Sequence, residues 1–226
     1  MRTKFKNALM SIPEEWSVPE PVAIKLDRSS DALIVVDLQR EYCHPRGRKY
    51  LETSQEILPN VIRLLDVFRA HGAWVFFTKV HFDPKDPRFA GLESRTYPRK
   101  GEWGFELVDE LNLTPTDVVV EKDCYDPFLS SELEAALKSR GLKPERSTIV
   151  VAGAVTTTCV YHTVSGLFHR GYRVVVPVDC VADRTPAAQL FGLWKFSSLY
   201  NVKLTRSDLI EIISSPPGDK APQPLR

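Results

Sequence analysis

Two kinds of apolar pattern divide this chain. Short runs dense in apolar and β-branched residues lie at Asp31–Asp37, Ala73–Thr78, Asp117–Val120, Ile149–Ala152, Tyr172–Val178 and Val202–Leu204. Such runs predict strands, and the first and fourth are apolar enough for full burial. Between the runs, apolar residues recur three and four apart. Ile57, Val61, Leu64, Leu65 and Phe68 mark one face of a helix that stops near Gly72. Leu133, Ala136 and Leu137 mark another, with Ser131-x-x-Glu134 as a capping box before it and Gly141 after it. Val160, Val164, Leu167 and Phe168 mark a third, Thr185-Pro186 opens a fourth, and Ser207–Ile213 reads as a last helix.

Strands alternating with helices predict an α/β fold, a three-layer α/β/α sandwich around a mostly parallel sheet of about six strands. Residues 1–30 are polar and punctuated by Pro13, Pro19 and Pro21, which predicts an N-terminal surface arm with Val22–Leu26 extended. Residues 31–213 form one domain, and the proline-rich 214–226 is expected to be a disordered tail. Gln39–Glu52 reads as a polar loop. Lys79–Thr116, with a short helix at Glu106–Leu111, is too long for a plain connection and is expected to serve function or a subunit contact.

Thirty basic side chains stand against 29 acidic ones, a net charge of +1. No basic stripe or polybasic segment is present, so neither nucleic acid nor a membrane is an expected partner. No apolar stretch reaches a membrane-spanning length, and the charged start Met1–Lys6 lacks the apolar segment of a signal peptide, so the expected location is cytoplasmic. Cys43, Cys124, Cys159 and Cys180 form no C-x-x-C pair and read as free thiols.

Candidate chemistry gathers at the C-terminal ends of strands, where ligands bind in such folds. Asp37 ends the first strand, Lys122 follows the third, and Cys159 follows the fourth after Gly153 and three threonines. Singly, each has a plainer reading: a solvated loop residue, a surface charge, a small packing residue. A carboxylate directly after an apolar strand is costly unless paired, however. A thiol in the first turn of a helix is expected to gain thiolate character from the dipole, beside N–H groups that can receive an oxyanion. Together the three make a set for acyl transfer: Asp37 takes the thiol proton, Lys122 keeps Asp37 ionised, and Cys159 attacks a carbonyl.

Three segments, Val35-Val-Asp37-Leu-Gln39-Arg-Glu-Tyr42, Glu121-Lys122 and Gly153-Ala-Val-Thr156-Thr-Thr-Cys159-Val160, resemble the signatures of the isochorismatase-like cysteine hydrolases. Gly101–Gly104, Pro127-Phe128 and Gly171–Asp179 extend the resemblance over roughly residues 30 to 213. It implies an Asp37, Lys122 and Cys159 triad, a cis peptide bond between Ala154 and Val155, and an oxyanion hole from the Val155 and Cys159 N–H groups. It implies a small-molecule substrate, no cofactor, and a homo-oligomer, dimer or tetramer.

Metal-dependent nicotinamidases of this superfamily carry an Asp/His cluster after the second strand. Here that segment offers His81 and Asp83 alone, and His71 reads as a helix-end surface residue, so no metal is expected. Isochorismatases cleave a vinyl ether and do not need a thiol. The presence of Cys159 therefore favours hydrolysis of an amide, ureide or N-carbamoyl bond over vinyl-ether cleavage, and the intact set of Asp37, Lys122 and Cys159 argues against a catalytically retired scaffold. A nucleotide-binding reading fails because no strand is followed by G-x-G-x-x-G. Tyr42, Trp103, Tyr125, Phe128 and Thr158 are candidate pocket residues, and Arg46, Arg48 and Lys49 candidate partners for a substrate carboxylate. His162, on the Cys159 helix, reads as a residue near the site and not as the base.

Overall fold

Ala32–Val36 is apolar at every position and buried throughout, which suits the middle of a sheet covered on both faces. The computed structural model describes residues 16–91 and 97–213; the outer part of the arm and the whole tail lie outside them. In chain order the strands are β1 (Ile24–Asp27), β2 (Ala32–Val36), β3 (Trp74–Val80), β4 (Val118–Lys122), β5 (Thr148–Ala154), β6 (Arg173–Pro177), β7 (Val181–Ala182), β8 (Lys203–Thr205) and β9 (Ile210–Ile213). The helices are α1 (Arg40–Cys43), α2 (Thr53–Ala70), α3 (Pro127–Ser130), α4 (Leu133–Ser139), α5 (Tyr161–His169) and α6 (Pro186–Leu199).

The main sheet runs β4-β3-β2-β5-β6-β8, with β7 added beside the end of β5, and all its pairings are parallel. Seven strands stand where about six were expected, because the two-residue β7 is too short to show as an apolar run. Alternate residues of β2 serve opposite layers. Leu33 and Val35 pack with Val61, Leu65 and Phe68 of α2, while Ile34 and Val36 pack with Val164 and Leu167 of α5 and Phe196 of α6. The chain leaves β2 in one direction to β3 and β4, then returns to place β5 on the other side. The crevice between the ends of β2 and β5 is therefore the topological switch point, where ligands bind in open α/β sheets.

Several expectations are corrected. The expected helix over Ser207–Ile213 is a short 3₁₀ turn, Ser207–Leu209, followed by β9. Ile210 and Ile212 are buried while Glu211 and Ile213 are exposed, a period of two that suits a strand. β9 pairs in parallel with β1 as a separate two-stranded sheet. The capping box before α4 is half formed: Ser131 Oγ accepts from the Leu133 N–H, but Glu134 binds Lys138 and Arg170 instead of reaching back. The loop after β2 opens with α1, and the expected helix over Glu106–Leu111 is a 3₁₀ turn at Asp109–Leu111.

Candidate active site

Asp37 follows β2 with φ of 51°, a left-handed backbone that turns the chain sharply at the sheet edge. Its Oδ1 accepts from Thr78 Oγ1 at 2.6 Å, and its Oδ2 from Lys122 Nζ at 2.7 Å. Lys122 is the last residue of β4, so this strand runs two residues further than its apolar run indicates. The ammonium also donates to the carbonyls of Cys124 and Tyr125, at 3.2 and 3.4 Å. Two residues beyond Asp37, the buried Gln39 donates to the Val80 and Phe105 carbonyls and accepts from the Val80 N–H. That clamp holds the long connection after β3 against the site.

Across the switch point, Gly153 pairs in register with Val36. Its φ is +117°, and a Cβ there would lie 2.2 Å from the Val36 carbonyl oxygen, so glycine is required. The Ala154–Val155 peptide is cis. Thr156–Val160 then forms a widened turn in which the Val160 N–H donates to the Val155 carbonyl at 3.2 Å, five residues back. Regular α-helix begins at Tyr161. Cys159 therefore sits in a π-turn ahead of the helix, with its carbonyl accepting from Thr163 Oγ1 at 2.8 Å.

The electrostatics differ from the expectation of a thiolate favoured by a helix dipole. Burial pushes the Cys159 thiol well above its usual range; Lys122 opposes that rise and Asp37 adds to it. Burial also works against the Lys122 ammonium, but Asp37 and Cys159 outweigh it and hold its pKa above the ordinary lysine value. Burial thus works against the thiolate at Cys159, which stands beside the Asp37–Lys122 ion pair.

A cavity of about 380 Å³ opens over Cys159, and Tyr42, Phe82, Tyr97, Tyr125, Val155, Thr158, Lys49 and Arg184 contribute to its wall. Tyr42, Tyr125 and Thr158 of the expected pocket residues are there. Trp103 and Phe128 are not. Trp103 is 40% exposed and packs against His44 and under the Arg46 guanidinium, 4.7 Å from the ring centre. Phe128 faces Gly166 of α5 and the Arg170 guanidinium, so it joins α3 to α5. Of the three candidate cations, Lys49 lines the cavity. Arg48 is held by Glu41 and Glu102, and Arg46 by Trp103. His162 stacks on Tyr125, with ring centres 6.1 Å apart. His81 packs edge-on to Phe105, and Asp83 accepts from the Lys85 N–H. Among the described residues no three His, Cys, Asp or Glu side chains are gathered where they could hold a metal ion.

Residues 31–208 match the model of the isochorismatase domain. The chain belongs to the isochorismatase family. Among relatives of this isochorismatase-like cysteine hydrolase, ureidoacrylate amidohydrolase RutB of Stutzerimonas stutzeri is 30% identical over 213 residues, covering 80% of this chain and 81% of the relative. The solved N-carbamoylsarcosine amidase of Thermoplasma acidophilum is 29% identical with a TM-score of 0.70, covering 79% of this chain and 97% of that one. A cysteine hydrolase of Pseudomonas syringae is 25% identical with a TM-score of 0.71, covering 84% and 93%.

For this isochorismatase-family chain, sequence reasoning missed Phe82, Tyr97 and Arg184 in the cavity wall. Arg184 carried no signal in the sequence: it lies two residues beyond β7, a strand too short to show as an apolar run.

Proposed function

We propose that this protein is a metal-independent cysteine amidohydrolase that cleaves a C–N bond of a small amide, ureide or N-carbamoyl compound through a thioester. The observation that carries the reading is the convergence of three side chains at the switch point. Cys159 lines the cavity floor, and it lies close enough to both Asp37 and Lys122 for their charges to act on its thiol.

Burial disfavours a free thiolate at Cys159, so a base acts on the thiol proton as the sulfur attacks. Asp37 takes that proton, and Lys122 and Thr78 fix the carboxylate that receives it. The sulfur bonds to the carbonyl carbon, and the oxygen takes up negative charge facing the Val155 and Cys159 N–H groups. The C–N bond then breaks, Asp37 returns its proton to the leaving nitrogen, and a thioester remains. A water molecule gives a proton to Asp37 while its oxygen attacks the thioester, and the released thiolate recovers the proton. The net change is addition of one water across the C–N bond.

The cavity suits a small substrate with a flat body and an anionic end. Tyr42, Phe82, Tyr97 and Tyr125 supply aromatic walls, and Lys49 and Arg184 supply positive charge. Ureidoacrylate and N-carbamoylsarcosine, which give two relatives their names, each combine a urea-type carbonyl with a carboxylate. Ammonia release from these two compounds and from nicotinamide tests the proposal. Turnover of a ureido or carbamoyl acid, lost in Cys159→Ala, is expected. A Cys159→Ala variant that still releases ammonia would overturn the reading.

A further inference from the structure

The turn carrying Cys159 is gripped from outside by the segment between β7 and α6. β7 pairs with the last residues of β5, Gly153 with Val181 and Ala154 with Ala182. The next residue, Asp183, therefore falls alongside the turn, with 4% of its surface exposed. Its Oδ2 accepts from the Thr157 N–H at 2.7 Å and from Thr157 Oγ1 at 2.6 Å. Its Oδ1 accepts from the Arg184 N–H at 2.7 Å, and its carbonyl accepts from Thr53 Oγ1 of α2 at 2.8 Å. Gln189 adds a second tie, donating to the Val181 carbonyl and accepting from Thr156 Oγ1.

A carboxylate beside an anion hole opposes the charge that forms there, so its contribution must be geometric. The bonds around it are consistent with that. Asp183 occupies the Thr157 N–H, and the Val155 carbonyl occupies those of Thr158 and Val160. None of these is the Val155 or Cys159 N–H assigned to the oxyanion. On its other oxygen Asp183 holds the backbone of Arg184, whose side chain lines the cavity.

We propose that Asp183 is a positioning residue that sets the nucleophile turn through Thr157 and the anion-facing Arg184 through its backbone, so that one carboxylate ties substrate charge recognition to the reacting thiol. This rests on reading Cys159 as the nucleophile and Arg184 as the partner of an anionic group.

Alkylation of Cys159 tests it without a known substrate. The sulfur bonds to the reagent's methylene carbon, the C–I bond breaks, iodide leaves, and the thiol proton passes to Asp37 and then to solvent. Iodoacetamide is neutral and iodoacetate is anionic, so the ratio of their rate constants at Cys159, located by peptide mapping, reads charge recognition separately from reactivity. Asp183→Ala is expected to slow iodoacetamide about 100-fold, the effect of displacing a reacting group by roughly 1 Å, and also to lower the iodoacetate-to-iodoacetamide ratio, the displacement of Arg184 outweighing the removal of a like charge from beside the anion. Thr157→Val, which removes one hydroxyl and leaves the carboxylate in place, is expected to slow both reagents about tenfold with the ratio kept. Arg184→Gln is expected to lower the ratio.

A merely structural Asp183 would change stability without moving the ratio, and that outcome overturns the proposal. So does Thr157→Val alkylating at the wild-type rate, which decides alone if Asp183→Ala does not fold. If wild-type Cys159 reacts no faster than Cys43, Cys124 and Cys180, the nucleophile reading fails and this inference with it. A preferentially reactive Cys159 that ignores both substitutions overturns this inference alone.

Discussion

Lys122 Nζ lies 2.7 Å from Asp37 Oδ2, with the two side chains 0% and 1% exposed. Neither charge reaches water, so each is tolerated only because the other is present. Asp37→Ala should therefore cost about 3–5 kcal/mol, the penalty of an unpaired buried charge. Asp37→Ala combined with Lys122→Met should cost less than Asp37→Ala alone. Urea denaturation of the single and double variants checks this, and additive losses would contradict it.

Asp37→Asn separates chemistry from folding. The amide keeps the side chain's shape and can still accept from Lys122, but it cannot take the thiol proton. Turnover should fall by about 10²–10⁴-fold, the usual contribution of a general base, with little change in KM. Steady-state kinetics on a carbamoyl acid would show this, and a proportionate rise in KM with kcat intact would argue that Asp37 binds substrate instead.

Stability should decline in alkali. Burial pushes the Cys43 thiol up to about 12 and raises Cys159 and Cys180 as well. In the unfolded chain each ionises near pH 8.5, so the folded state holds more protons above that point and stability falls as pH rises. One unit above the unfolded value, each buried thiol costs about 1.4 kcal/mol. The urea midpoint should drop between about pH 8 and pH 10, and replacing Cys43 with Ala should reduce the drop. A flat profile would contradict the assignment.

The end of β5 tolerates no side chain at Gly153. Gly153→Ala places a methyl group 2.2 Å from the Val36 carbonyl oxygen at a φ of +117°. The variant should lose about 3 kcal/mol or more, and a denaturation midpoint matching wild type would refute the packing argument.

The alternation of strands and helices was legible because β2, β5 and the inner face of α2 bury continuous or regularly spaced apolar residues. The strand-end positions of Asp37, Lys122 and Cys159 followed from that reading. β9 was mistaken for a helix because four apolar or half-apolar residues in seven fit either period, and its partner β1 lies almost the whole chain away. Trp103 and Phe128 were misplaced for a related reason: an aromatic residue in a single short turn of helix carries no record of which surface it will cover. Asp183 and Arg184 were invisible because β7 is too short to show as an apolar run and the contact that matters, Asp183 to Thr157, reaches a turn 26 residues earlier in the chain.

The most direct measurement is the mass of the protein in an acid-quenched reaction with ureidoacrylate or N-carbamoylsarcosine, followed by peptide mapping. An adduct equal to the acyl or carbamoyl group is expected on the peptide containing Cys159, absent from Cys159→Ala, which should also show no turnover. Turnover by Cys159→Ala, or an adduct on another residue of an active enzyme, would show that Cys159 is not the nucleophile.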